Sequence, residues 1–211
     1  MPKNLKSHWD NVYSSRQIES LGWFEEMPGS SLQLIKKCNL SKNAQILNVG
    51  AGATTLVDHL LEEGFTNLIA SDLSKEAMAK LKSRLGKSSS SKVRWIIDDL
   101  TDPKELLHVD PLDLWHDRAV LHFFTEESEQ IAYFNLIQNK VKPGGYVIIA
   151  VFNLNAATKC SGLPVHRYDQ HMLHDQLGSD FTLQETFDYD YVMPSGDSRS
   201  YIYTLFRRSF E

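Results

Sequence analysis

Cysteine is nearly missing from this chain of 211 residues: it occurs only at Cys38 and Cys160, far apart in sequence. That excludes a disulfide framework and fits reduced thiols in a reducing compartment. Long apolar runs are also missing, so no segment reads as a bilayer span, and the opening stretch MPKNLKSHWD lacks the apolar core of a secretory signal. The expected location is cytoplasmic, with no membrane partner. The chain has no dense block of Lys and Arg, and its formal net charge is −5. A nucleic-acid ligand would call for a basic footprint on the surface, so nucleic acid is not an expected partner. His171 and His174 share a helical face by their spacing, but no third ligand accompanies them, and no metal site is expected.

What is present reads as an ordinary globular chain, 42% hydrophobic and 23% charged, of a length that suits one domain over residues 1–211. Short runs rich in Ile, Val and Leu stand at 45–49, 67–71, 93–97, 112–116 and 146–151, separated by segments of helical period at 55–63, 74–85 and 127–141. Such alternation predicts parallel strands joined by crossover helices. Helix stops are marked by Gly64, Gly86 and Lys142-Pro143-Gly144-Gly145, and Ser88 to Ser91 reads as a surface loop. From Phe181 to Tyr191 the period changes to two, Pro194-Ser195-Gly196-Asp197 supplies a turn, and Ser200 to Arg208 supplies the return strand. The predicted fold is α/β, Rossmann-like and doubly wound: a mainly parallel seven-stranded sheet with an antiparallel last strand. Its parts are an N-terminal helical cap segment at 1–40, a cofactor-binding core at 45–151, and a substrate loop with a closing hairpin at 152–211.

The stretch ILNVGAGATTL (46–56) carries the first functional signal. In an open parallel sheet, ligands bind beyond the carboxyl ends of the strands, so the first strand-to-helix turn is the expected floor of a site. Gly50 and Gly52 let backbone approach a ligand, while Thr54 and Thr55 bring hydroxyls to the next helix's N-terminus. Asp72 ends the second strand about twenty residues on, where a carboxylate can accept from a ribose diol; Ser74 is the better helix cap and leaves Asp72 free for that. Asp98 and Asp99 end the third strand within reach of an adenine amino group. An adenosine-containing cofactor follows, and the turn reads Gly-x-Gly-x-x-Thr, without the last glycine of a dinucleotide fingerprint. The same glycines also suit plain helix-to-strand packing.

The ordered series ILNVGAGATTL, IASDLS, WIIDDLT, DLWHDRAVLHFF and VKPGGYVIIAVF resembles the class I S-adenosylmethionine-dependent methyltransferases. More narrowly, HWDNVY, LWHDRAVLHFF and CSGLPVHRY are similar to the WDxxY, LWHDRAVxHF and CSGLPVxRY segments of a group of small bacterial methyltransferases. The resemblance implies S-adenosyl-L-methionine as cofactor. It places Gly50 and Gly52 at the methionine part, Asp72 at the ribose, Asp99 and Leu100 at the adenine, and Asp117 near the methionine amino group and the reacting centre. Asn48 stands where the class often has an acidic residue.

Methyl transfer is an in-line displacement that positioning and desolvation can drive without a catalytic triad. Trp9, Tyr13 and Trp23, with Phe24, are candidates to cover a sulfonium through their aromatic faces, or else simply pack on the core. Asp117, Arg118 and His122 are the catalytic candidates: Asp117 to orient an amine or take its proton, Arg118 to steer an anion, His122 as a base. A buried ion pair and a structural histidine are the alternatives. His166, Arg167 and Tyr168, on a loop leaving the fifth strand, are the substrate-side candidates. The expected activity is methyl transfer to an N, O or S nucleophile of a small molecule. Two other readings remain open: a protein lysine methyltransferase of the elongation-factor-methylating type, and a nucleotide-binding module without catalysis.

Overall fold

In a computed structural model, residues 5–52 and 54–210 are described. Five strands, β1 (Gln45–Val49), β2 (Asn67–Asp72), β3 (Val93–Ile97), β4 (Leu112–Arg118) and β5 (Val141–Phe152), run parallel. A short hairpin follows, β6 (Lys159–Cys160) with β7 (Leu163–Pro164), and then β8 (Phe181–Val192) and β9 (Ser198–Arg208). The large sheet has the order β3-β2-β1-β4-β5-β9-β8, and β9 pairs antiparallel with both β5 and β8. The predicted doubly wound sheet with an antiparallel last strand is the one found. The order turns back between β1 and β4, which opens a crevice at their carboxyl ends.

Register sets what meets there. Val49 lies opposite Ser71 on one side and Asp117 on the other, so the residues that follow, Gly50, Asp72 and Arg118, emerge at one rim. β1, β2, β4 and β5 are buried on both faces over most of their length, as crossover helices require. One core layer gathers Trp115, Tyr133, Phe134 and Ile149 with Leu173 of α6 (Gln170–Leu177), and it packs under α5 (Glu127–Lys140). The opposite layer holds Ile46, Leu68, Ile148 and Tyr203 against α2 (Gly29–Lys37), α3 (Leu56–Glu62) and α4 (Lys75–Ser90). Along β8 alternate residues are exposed, the period-two pattern of a strand covered on one face.

Two local expectations are corrected. The tract Ser88 to Ser91 is not a plain loop. The chain kinks at Gly86 (φ 71°, ψ 169°), then resumes a helical turn through Ser90, whose carbonyl accepts from Trp95 Nε1 at 2.9 Å. A polar serine tract carries no apolar period, so the anchoring indole was invisible in the local pattern. The fifth strand pairs from Val141, before the Pro143-Gly144 corner, with a register shift between Leu112 and Leu114 that absorbs the corner.

The N-terminal helix α1 (Leu5–Ser15) lies across α4 and closes over the rim of the crevice. Its anchor is Ser74, whose hydroxyl accepts from Ala77 N as the α4 cap and donates to Asp10 of α1 at 2.7 Å. One oxygen therefore both starts a helix and docks the cover. We expect Ser74→Ala to lower stability by about 1–2 kcal/mol, the range for a lost helix cap, and to speed amide hydrogen exchange within residues 5–15 more than in β1.

Candidate active site

The glycine turn after β1 is left-handed at two residues, with φ of +56° at Gly50 and +53° at Gly52. Side chains of this protein fill the space that a Cβ would need. It would stand 2.0 Å from Val120 Cγ2 at Gly50 and 2.4 Å from the Tyr13 hydroxyl at Gly52. Both glycines are therefore fixed by sterics as well as by backbone conformation. Asp72 pins the turn: one carboxylate oxygen accepts from Gly52 N at 2.7 Å, and the other from Ser74 N at 2.7 Å. The carboxylate expected to be left free is thus already the tie between turn and helix, and each oxygen keeps a lone pair for a ligand. Burial raises its pKa to about 6, against the pull of these amide donors. Thr54 Oγ1 accepts from Leu56 N at 3.2 Å and so helps start α3.

Beyond the turn lies a cleft of about 820 Å³, open solvent included. Asp72, Asp98, Asp99 and Leu100 line one end, Gly50 its floor, and Trp9, Tyr13 and Trp23 its cover. The cover is one aromatic cluster. Trp9 meets Trp23 edge to face at 5.5 Å and Phe123 at 5.0 Å, and Trp23 Nε1 donates to the Tyr13 hydroxyl at 3.2 Å. Asp98 accepts from the amides of Asp99, Lys104 and Leu106 and holds the loop after β3, while Asp99 accepts from Thr101. The far wall is Ala119, Val120, Phe123, Phe124 and Cys160. Burial pushes the Cys160 thiol up to about 11, which keeps it protonated.

A second cavity, about 520 Å³, adjoins the first across Gly50, Tyr13 and Trp23 and is lined by Glu25, Asn48, Thr54, His116 and Arg118 among others. Arg118 stands between the two. Its guanidinium pairs with Glu25 at 3.1 Å, donates to Tyr203 Oη at 3.0 Å and to the Trp23 carbonyl at 2.9 Å, and lies over the rings of Tyr191 and Tyr201. Burial raises the Glu25 pKa while Arg118 lowers it, and burial prevails. Asn48 faces inward: His116 contacts it through Nδ1 at 2.8 Å and Ser31 through Nε2 at 2.9 Å. Burial, then Arg118, depresses His116 to about 3, so this imidazole is neutral. With the Asn48 oxygen as acceptor, Nδ1 carries the proton and Nε2 accepts from the serine hydroxyl.

The expected catalytic trio is split. Arg118 reaches the cleft wall, but Asp117 is fully buried and turned away from it. Asp117 accepts from Val120 N at 2.9 Å, Leu121 N at 3.1 Å and Tyr133 Oη at 2.6 Å, and burial raises its pKa to about 6. His122 is also fully buried; its Nδ1 accepts from Phe152 N at 3.3 Å, and burial depresses it to about 3. The reason is the alternation of strand β4: with Arg118 at the rim, Asp117 must face the core. Of the substrate-side expectations, none lines the cleft. His166 meets the Tyr168 ring at a tilt, 4.5 Å between centroids, Tyr168 is buried, and Arg167 braces the loop through the carbonyls of Leu154 and Ala156. The residue of that loop that does line the cleft is Cys160. Glu25, Phe123 and Val120 are further site residues that the sequence reading passed over. Only Phe123 and Val120 had a signal, their place beside the Asp-Arg pair.

Comparison with known proteins finds similar sequences and similar folds. Residues 47–147 match the methyltransferase domain family. The chain is 26% identical over 161 residues to EEF1A lysine methyltransferase 2 of Danio rerio, a match covering 70% of this chain and 68% of that one. An S-adenosylmethionine-dependent methyltransferase of Anabaena variabilis superposes with a TM-score of 0.76 at 10% identity, covering 97% of this chain and 93% of that one. The 1,6-didemethyltoxoflavin-N1-methyltransferase of Burkholderia thailandensis, solved with S-adenosylhomocysteine and its substrate bound, gives 0.66 at 19% identity, covering 97% and 85%. Just under half of the chain thus matches the methyltransferase domain, and nearly all of it shares the Rossmann-like fold of these solved S-adenosylmethionine-dependent enzymes.

Two outcomes follow from these contacts. Gly52→Ala should destabilise the chain by about 2 kcal/mol or more, since it combines a left-handed residue with a clash, and adding Tyr13→Phe should recover part of that loss in denaturant unfolding. For Asp117 the folded pKa is raised, so its contribution to stability is fully present below the unfolded value and is lost as pH rises through about 6. The stability deficit of Asp117→Asn should accordingly narrow by roughly 2 kcal/mol between pH 4 and pH 7 in paired urea titrations.

Proposed function

We propose that this chain methylates a small molecule whose nucleophilic atom enters the aromatic end of the cleft. The observation that carries this reading is the wall opposite Asp72: it is apolar and aromatic, covered by α1, and among the described residues offers no ionisable group free to act as a base. Asp117 and His122 are shut away from it, Arg118 is paired, and the Cys160 thiol stays protonated. An acceptor must therefore arrive nucleophilic, as a neutral amine, a thiolate or an equivalent, and the protein's work is orientation and exclusion of water.

Toward the cofactor, Asp72 is placed to accept from the ribose hydroxyls, Asp99 and Leu100 to border the adenine, and Gly50, Gly52 and Thr54 to lie beneath the amino-acid part. Bound S-adenosyl-L-methionine supplies an electrophilic methyl group on a sulfonium. Trp9, Tyr13 and Trp23 cover that position with aromatic faces, which favour a cation. Asp117 works by position, because its hold on Val120 N and Leu121 N keeps the Val120 side chain against Gly50. Arg167, with His166 and Tyr168, holds the loop that presents Cys160 to the acceptor.

A second reading, protein lysine methylation, is favoured by the fish relative's name and by an aromatic entrance that suits a narrow alkyl chain. Incubating the enzyme with an extract and methyl-labelled cofactor separates the two: label in the acid-soluble fraction supports the small-molecule reading, and label held in protein bands supports the other. Isothermal titration tests the cofactor assignment. S-adenosylhomocysteine should bind in preference to NAD, and Asp72→Ala should weaken it about 10- to 100-fold, as for loss of a charged hydrogen-bond partner.

A further inference from the structure

Between α1 and α2 the chain crosses over the second cavity as an irregular strap, residues 22–28. The strap has neither helix nor strand to hold it, yet four consecutive carbonyls in it each meet a side chain from the body of the protein. Arg118 Nη1 donates to the Trp23 carbonyl at 2.9 Å, the Tyr191 hydroxyl of β8 to that of Phe24, and Thr55 Oγ1 to that of Glu25 at 2.8 Å. His59 Nε2 of α3 stands 3.2 Å from the Glu26 carbonyl. Arg118 holds the strap a second time through the Glu25 carboxylate. Thr55 is diagnostic. It occupies the cap position of α3, where a threonine hydroxyl ordinarily accepts from the helix amides, but here it is spent on the strap and makes no side-chain cap bond.

Trp23, Phe24, Glu25 and Pro28 line the second cavity, so part of the strap rests over open volume instead of a packed core, and Trp23 also lines the cleft. The neighbouring pieces are fixed by other means. Ile18 and Leu21 pack with Val12 and Tyr13 of α1, and α1 is docked on α4 through Asp10 with Ser74 and through the Arg16 carbonyl, which accepts from Lys80 Nζ at 2.8 Å. Gly22 and Gly29 bound the strap, where a hinge would turn. We infer that residues 22–28 are a gate: the strap moves out with the Trp23 indole while α1 stays docked, and Arg118, Tyr191, Thr55 and His59 are the latch that closes it. Release exchanges hydrogen bonds to backbone carbonyls for hydrogen bonds to water, which is a small net change for each. Trp23 then parts from Trp9 and Tyr13, and the aromatic cover opens on its strap side. Because Tyr191 belongs to the closing hairpin, that hairpin sets how firmly the gate is shut. The gate is a property of the chain itself; only its use by a cofactor rests on the placement proposed above.

The test combines Tyr191→Phe with Thr55→Val, which removes two latch donors and keeps the aromatic ring and the start of α3. In hydrogen exchange of the free protein, the segment 22–29 should exchange faster by about 10- to 100-fold, the range for two neutral hydrogen bonds. The segment 5–15 should stay within about twofold of wild type, since it opens separately. No change at 22–29, or an equal change at 5–15, overturns the inference. Stopped-flow tryptophan fluorescence then follows S-adenosylhomocysteine entering and leaving. A gate that opens before the ligand passes requires the double variant to raise the association and dissociation rates together, by about 10-fold or more, and to keep Kd within about threefold. Unchanged rates, or faster dissociation alone, overturn the strap as the route of entry. If wild type binds no S-adenosylhomocysteine, the cofactor placement falls, and the exchange result still decides the gate.

Discussion

The Asp72 carboxylate, accepting from Gly52 N and Ser74 N at once, is the contact from which the rest of the site is built. It joins the end of β2 to the turn after β1 and to the start of α4, and those three pieces come from separate parts of the chain. The same Ser74 docks Asp10 of α1, so the floor and the cover of the cleft are referred to one point. Holding the carboxylate there has an energetic cost. Burial alone would neutralise an isolated acid, and the two amides offset only part of that penalty, which leaves the pKa raised to about 6.

On the other side of Gly50, β4 divides its last two charged residues by strand alternation. Asp117 points in and organises the turn that carries Val120; Arg118 points to the rim and joins Glu25 within a ring of tyrosines. From Arg118 the polar contacts run through Tyr203 and Ser31 to His116 and Asn48, so the interior beneath the glycine turn is hydrogen-bonded rather than apolar. Such a network holds its members in one arrangement because each alternative leaves a buried group unmatched. The cleft therefore has its Arg118 and Glu25 charges set against each other at one edge, while the wall opposite Asp72 is apolar and aromatic.

Much of the framework was legible in the sequence because it is written in local pattern. The β strands are short apolar runs, the β8–β9 hairpin has period two around a Pro-Ser-Gly-Asp turn, and the left-handed glycines at 50 and 52 stand where a strand stops. Asp72 was recognisable from its spacing to that turn. What could not be read was which way a buried polar side chain faces. Asp117, Arg118 and His122 are consecutive or nearly so, and only the alternation along β4, with the helical turn after it that points His122 at Phe152 N, decides that one reaches the cleft and two do not. Glu25 gave no signal at all, since its role depends on a long loop crossing to the end of a strand more than ninety positions away. The helical turn after Gly86 was hidden for a related reason, because its anchor is Trp95 on the next strand.

The central claim is that the turn at Gly50 to Thr54 together with Asp72 holds a methyl donor. A crystal structure of the protein with S-adenosylhomocysteine tests it most directly. The account predicts the ribose hydroxyls on the Asp72 carboxylate and the thioether above Gly50 under the aromatic cover. Ligand lying elsewhere, or a ribose that leaves Asp72 without a hydroxyl partner, would contradict it.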